Sequence, residues 1–270
     1  MTSVNTNVGA QVALQNLQQT QYNLNSTQNR ISTGFRINNP VDDAANFAIA
    51  QGLRTNLQAF SAVQQSLSSA TGILSVAIAG ATSVSNLLAQ INTTAISASN
   101  PSNTASQQSI LSANFTAQLA QLNTFISNSI YNGLNLLSAG AASVTITSTI
   151  SGGQLTITNA SGLSGVSAAL SSGVGTTAAA LALLTAVTAQ QLVTGTALGT
   201  LGSSQNSVNF LTTFTQTLSN AVTQGLGSLV DANLAQESAK LQALQVQQQL
   251  GVQALGIANA RPQILLSLFR

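Results

Sequence analysis

Apolar residues recur along this chain in alternating steps of three and four. Near the start, Ala10, Leu14, Leu17, Leu24 and Ile31 keep that rhythm once polar Gln21 and Gln28 are counted in, which describes a narrow coiled-coil seam and not the wide face of a globular helix. A second run takes Leu67, Thr71, Leu74, Ile78, Ala81, Val84, Leu88, Ile91 and Ala95, and a third Leu111, Phe115, Leu119, Leu122 and Ile126. Val208, Leu211, Thr215, Leu218, Val222 and Leu229 repeat it, and Leu234, Leu241, Leu244, Gln248 and Leu255 continue it. Five helical segments therefore share one packing mode.

The breaks between them have local chemical signatures. In Asn38-Asn39-Pro40 the spacing predicts Asn39 as N-cap and Pro40 at the first helical position, with Asp42 and Asp43 in a first turn where the helix dipole favours negative charge. That helix is predicted to run to residue 99, where Asn100-Pro101-Ser102-Asn103 stops it. After Tyr131-Asn132-Gly133 the period changes. Val144-Thr145-Ile146-Thr147 and Leu155-Thr156-Ile157-Thr158 alternate apolar and polar around Gly152-Gly153, predicting a small β-hairpin. The Gly/Ser/Thr-rich residues 161–177 read as surface loop.

Charge is confined to the ends. All ten charged residues, 4% of the chain, lie within residues 30–54 and 231–270, whereas a soluble monomer keeps about a quarter of its residues charged. Such a chain is expected to sit against copies of itself, with Ser, Thr, Asn and Gln supplying polarity without the desolvation cost of ions. With no Cys, His or Trp, thiolate nucleophiles, imidazole bases and Cys/His metal sites are absent, so no enzyme, cofactor or metal is expected. Six basic against four acidic groups leave too little charge for a nucleic-acid partner. The N-terminus has no basic stretch followed by an apolar run, so export without a cleavable signal peptide is expected. The most apolar stretch, residues 178–189, is too short to span a bilayer, and no membrane insertion is expected.

Residues 1–33 and 231–270 are each apolar on a thin stripe that neither could bury alone. They could pair within one chain, or stay loose until many copies stack. Among their polar residues, Asp231, Glu237 and Lys240 fall on one predicted helix, with Glu237 and Lys240 spaced as a surface pair. Gln21, Gln28 and Gln248 at seam positions would fix register or face solvent.

These ends resemble those of bacterial flagellins, and most of all the short alphaproteobacterial kind. The N-terminal match is Asn5-Thr6-Asn7, Leu14 to Leu17, Arg30-Ile31-Ser32-Thr33-Gly34-Phe35-Arg36-Ile37-Asn38, Asp42-Asp43-Ala44-Ala45 and Ile49-Ala50. The C-terminal match runs through Asp231-Ala232-Asn233-Leu234-Ala235-Gln236-Glu237-Ser238-Ala239-Lys240 to the ending Leu265-Leu266-Ser267-Leu268-Phe269-Arg270, and Tyr131-Asn132-Gly133 stands where the family has a Phe-Asn-Gly connector.

The resemblance implies a mainly α fold: an elongated, coiled-coil-like helical bundle with paired N- and C-terminal helices and one small β-hairpin. Residues 1–33 and 231–270 would be inner-tube helices, 34–46 a spoke-like turn, 44–137 and 178–230 a rod-shaped core, and 138–177 the hairpin and surface loop, with no large outer domain. Polymerisation would rest on Leu14, Leu17, Leu24, Ile31, Leu234, Leu241, Leu244, Leu255, Leu265, Leu268 and Phe269. The spoke would use Arg30, Arg36, Asn38, Asp42 and Asp43. The implied function is a structural subunit that polymerises into the extracellular flagellar filament for swimming, served by a secretion chaperone and meeting filament-cap and hook-junction proteins; a hook–filament junction protein is the alternative. Many flagellins are detected by a mammalian innate receptor through a charged rod-helix patch. Its counterpart here, Gln90, Asn92, Thr93 and Thr94, is uncharged, so weak or no detection is expected. With four carboxylates in all, the filament is expected to resist acid.

Overall fold

The computed structural model describes residues 6–267, with backbone alone beyond residue 260. Its elements are α1 (Val8–Thr33), α2 (Ala44–Ala98), α3 (Ala105–Asn128), β1 (Val144–Thr147), β2 (Gln154–Ile157), the one-turn α4 (Val166–Ala169), α5 (Thr177–Val230) and α6 (Leu234–Ser267). They sort into two compact units, residues up to 57 with those from 221 onward, and residues 58–220. Helices α2 and α5 contribute to both.

Helix α2 begins later than Pro40. Residues 38–42 close a turn instead: Asp42 Oδ2 accepts hydrogen bonds from the backbone N–H groups of Asn38 and Asn39, each at 3.0 Å. The capping role falls to Asp43, whose Oδ1 accepts from Asn46 N–H at 3.0 Å and whose carbonyl accepts from Phe47 N–H. At the other end α2 stops at Ala98, and Asn103 Nδ2 donates to the Ser97 carbonyl at 2.8 Å, giving an orphan carbonyl of the last turn its partner. Thr104 and Gln107 then form a reciprocal capping box that starts α3.

In the 58–220 unit, one core takes Leu67, Leu74, Leu88 and Ile91 from α2, Phe115 and Leu122 from α3, and Leu183, Leu201 and Val208 from α5. The connector after α3 is pinned by Tyr131 and Leu134, whose backbones exchange two 2.9 Å hydrogen bonds around Asn132 and Gly133. Both central residues have positive φ, 48° and 79°, as a type I′ turn requires. Strands β1 and β2 pair antiparallel with Val144 opposite Ile157 and Ile146 opposite Leu155, and Ile146 and Ile157 enter the same core.

Two expectations are corrected here. Residues 161–177 are not a surface loop: a 3-10 turn (Ser161–Gly165) and α4 bury Leu163, Val166, Leu170 and Val174 completely. Their spacing of three, four and four is helical, and the intervening Gly and Ser hide it. Nor is every segment too short to span a bilayer. By length and composition alone α2 and α5 both qualify, because beyond Arg54 near the start of α2 neither helix carries a charge. In this structure the buried residues of both helices supply the core just described, while others, such as Leu192 and Phe210, are exposed.

Candidate polymerisation surface

Helices α1 and α6 lie antiparallel. Asn7 caps α1, its Oδ1 accepting from Ala10 N–H at 3.1 Å, and its Nδ2 donates across to the Ala258 carbonyl at 2.7 Å. At the other end Arg30 reaches Glu237, and midway Gly251 packs against Leu17 so closely that a Cβ there would lie 3.2 Å from Leu17 Cδ1. On α1 the seam runs through Ala10, Ala13, Leu17, Thr20, Leu24, Thr27 and Ile31, with Asn23, Ser26 and Arg30 half-buried beside it; on α6 it runs through Glu237, Leu241, Leu244, Gln248, Gly251, Leu255 and Ala258. Both follow steps of three and four, so the predicted rhythm is present but shifted on α1. On α1, Ala13, Thr20 and Thr27 replace Leu14, Gln21 and Gln28, because small side chains let the two backbones approach; on α6, Leu241, Leu244, Gln248 and Leu255 stand where predicted, and Leu234 alone, at the start of the helix, is exposed.

The displaced residues are exposed. Leu14 is 44% and Leu234 50% accessible, and Val8, Val12 and Tyr22 of α1 and Val246, Leu250, Val252 and Ile257 of α6 are more so. Nothing among the described residues covers these apolar side chains, which together exceed what scattered surface hydrophobes explain. Leu265 falls on the backbone-only part of α6, and Leu268 and Phe269 lie outside the described residues.

Between the helices, residues 34–43 form a turn stitched to the end of α5. Gly34, at φ 75°, closes α1 with its N–H on the Arg30 carbonyl and accepts from Ala232 N–H at 2.8 Å. Phe35 and Asp231 form an isolated antiparallel bridge. The Arg36 N–H and its guanidinium take the Val230 and Leu229 carbonyls at 2.6 and 2.7 Å, placing a cation on the negative end of α5. Ile37, Ala50 and Val230 are buried beneath, with Phe35, Phe47, Leu226 and Leu229 packed around them. The Arg54 guanidinium sits 5.9 Å from the Phe35 ring centroid. Backbone hydrogen bonds from Asn38 and Asn39 hold the Asp42 carboxyl below its ordinary range, and Asn46 does the same for Asp43.

Two charge assignments made from sequence change. Asp231 belongs to the joint between α5 and α6, not to a helix. Glu237 is buried, and its ion pair is with Arg30 at 3.3 Å, not with Lys240 on its own helix. Periodicity could not find this pair because its partners stand far apart in the chain. Asn7, Thr27 and Gly251 were missed as well; Asn7 alone left a signal, as an N-cap residue before a periodic run. Gln90, Asn92, Thr93 and Thr94 lie within α2, where the Thr93 and Thr94 hydroxyls both donate to the Gln90 carbonyl.

The family model for the bacterial flagellin N-terminal helical region matches residues 4–142, and that for the C-terminal helical region matches residues 184–269. The chain belongs to the bacterial flagellin family. Flagellin FljN of Caulobacter vibrioides is 39% identical over 272 residues, covering 100% of this chain and 99% of its own. A flagellin of Brucella melitensis is 36% identical over 284 residues, covering both chains completely. The crystal structure of Bacillus cereus flagellin aligns with 66% of this chain and 94% of its own at 17% identity and a TM-score of 0.40, too low an agreement to bear on how the helices are arranged. As a flagellin, the protein is a structural subunit of the bacterial flagellar filament. Full-length similarity to flagellins leaves nothing that favours the hook–filament junction alternative.

Proposed function

We propose that this flagellin polymerises through the outward faces of α1 and α6, which serve as the inner-tube helices of the filament while residues 34–43 form the spoke. The observation that carries this reading is the apolar stripe of Val246, Leu250 and Ile257, exposed although α6 is already paired with α1 along another face. Burying such side chains between copies is favourable by about 1.5–3 kcal/mol each, offset by the entropy of ordering the helices. The 58–220 unit carries no charge at all, so copies can approach along it without burying ions. Leu14, Leu234, Leu265, Leu268 and Phe269 complete the apolar set in this reading.

The subunit acts as a polymer, a reading that its membership of a structural protein family supports. In this reading the subunit leaves the cell through the flagellar channel, is held by a chaperone at the C-terminal helix and meets a cap at the growing tip and a junction protein at the base; membership of the family supports it. Leu250→Lys tests the polymerisation reading. It adds charge to an exposed position, so the isolated subunit should change by less than about 0.5 kcal/mol, yet growth on filament seeds should stop. Normal filaments from this variant would refute the proposed surface.

A further inference from the structure

We propose that the Arg30–Glu237 ion pair selects which face of α6 turns toward α1, and so which face is left for the next copy; this rests on the polymerisation reading above. Helix α6 is apolar on two sides. Leu241, Leu244 and Leu255 face α1, whereas Val246, Leu250 and Ile257 are exposed about 170° further round, at about 100° per residue. Burial of apolar area does not choose between stripes of three large aliphatic side chains each, since it is non-directional. Both stripes are interrupted, the inward one by Gln248 and Gly251 and the outward one by Gln253. Helix α1 does not decide the matter either, because its seam is largely Ala and Thr while Val8 and Val12 lie on its far side.

Charge separates the two faces. Glu237 stands at the inward face with its side chain 11% exposed, and Arg30 is the cation it meets. Turning α6 by half a revolution would aim Glu237 at the neighbouring copy, where assembly would bury it without Arg30, and an unpaired buried charge is strongly disfavoured. The joint at residues 231–233 is held by Ala232 N–H on the Gly34 carbonyl, which fixes where α6 begins. The ion pair stands a turn further on and fixes its rotation. Its geometry suits selection better than strength. One nitrogen–oxygen contact is made, and Arg30 Nε, Glu237 Oε2 and the nearby Thr27 Oγ1 are buried without a hydrogen-bond partner, where a pair built for stability would be bidentate.

The chain has no cysteine, so introduced cysteine pairs report the facing without background. A Cβ on Gly251 would lie 3.8 Å from Leu17 Cβ, a separation that a disulfide spans. L17C/G251C therefore reports the native face, and L17C/L250C the rotated one. Both are oxidised in full-length chains, before and after seeding. With the ion pair intact, the native cross-link should exceed the rotated one by about tenfold or more; in R30A/E237A, which removes both charges without adding a large apolar side chain to the inward face, the two should come within about threefold. Retention of the full preference in R30A/E237A would overturn the proposal. Should that variant not fold, the charge swap decides. R30E/E237R should restore the preference that E237R alone loses, and a preference kept by E237R alone or absent from the swap would overturn it. Failure of the polymerisation reading is separable: L250K chains that still form filaments would sink that reading, while the cross-links in unpolymerised chains would still report the facing.

Discussion

Gly80→Ala and Gly199→Ala are the same chemical change in two long helices, and the structure predicts opposite signs. Gly80 is buried in α2, and a methyl there would lie 1.9 Å from Ser129 Oγ and 2.9 Å from Leu137 Cδ1. Alanine in a helix interior is favoured over glycine by about 1 kcal/mol. Against that, Ser129 must move, and its Oγ now donates to the Phe125 carbonyl at 2.6 Å, a bond worth about 1 kcal/mol net. Leu137 is fully buried, and forcing extra volume into a filled core costs about 1–3 kcal/mol. The clash wins, and G80A should be less stable than wild type by about 1–3 kcal/mol. Gly199 in α5 is exposed with nothing within 4 Å of its missing Cβ, so G199A should gain about 0.5–1 kcal/mol from propensity alone. Urea unfolding of the unpolymerised full-length chain, followed by circular dichroism, reads the difference directly as a shift in midpoint. A G80A chain as stable as wild type would refute the packing of residues 129–137 against α2.

Ile37→Ala removes a fully buried side chain from the small core under the turn and should cost about 2–4 kcal/mol; a loss below 1 kcal/mol in the same unfolding experiment would show that this core does not hold the turn. The Asp42 and Asp43 carboxyls both titrate below their ordinary 3.8 in the folded chain, so the stability they contribute is fully present above that value and is lost as pH falls through the lowered folded one. Asp42→Asn should flatten the acid limb of the stability profile, whereas an unchanged limb would show that the turn's carboxylate contacts do not matter. The uncharged Gln90, Asn92, Thr93 and Thr94 patch should make the unpolymerised chain a poor activator of the mammalian flagellin receptor. A reporter-cell response equal to that of an enteric flagellin would contradict this.

The helices were legible because their rhythm is sustained, and the end of α2 because Asn100-Pro101 cannot continue a helix. The inward face of α1 was not. Periodicity favours the larger residue at each step, choosing Leu14 over Ala13 and Gln28 over Thr27, whereas close pairing with α6 takes the smaller one and leaves Leu14 outside. The start of α2 was misplaced for a similar reason. Pro40 is compatible with a first helical turn, but the Asp42 carboxylate binds the Asn38 and Asn39 N–H groups and commits the segment to a turn. Leu163, Val166, Leu170 and Val174 were hidden in Gly- and Ser-rich text that suggested loop. The Arg30–Glu237 pair spans almost the whole chain, and no local pattern could reveal it.

The central claim, that copies of this flagellin join through the outward faces of α1 and α6, is tested most directly by helical reconstruction of its filaments from cryo-electron micrographs. The account predicts α1–α6 pairs lining the filament axis, with Val246, Leu250 and Ile257 against neighbouring copies and Arg30 still on Glu237 of the same chain. Filaments in which those helices lie on the outer wall, or in which that stripe meets only solvent, would contradict it.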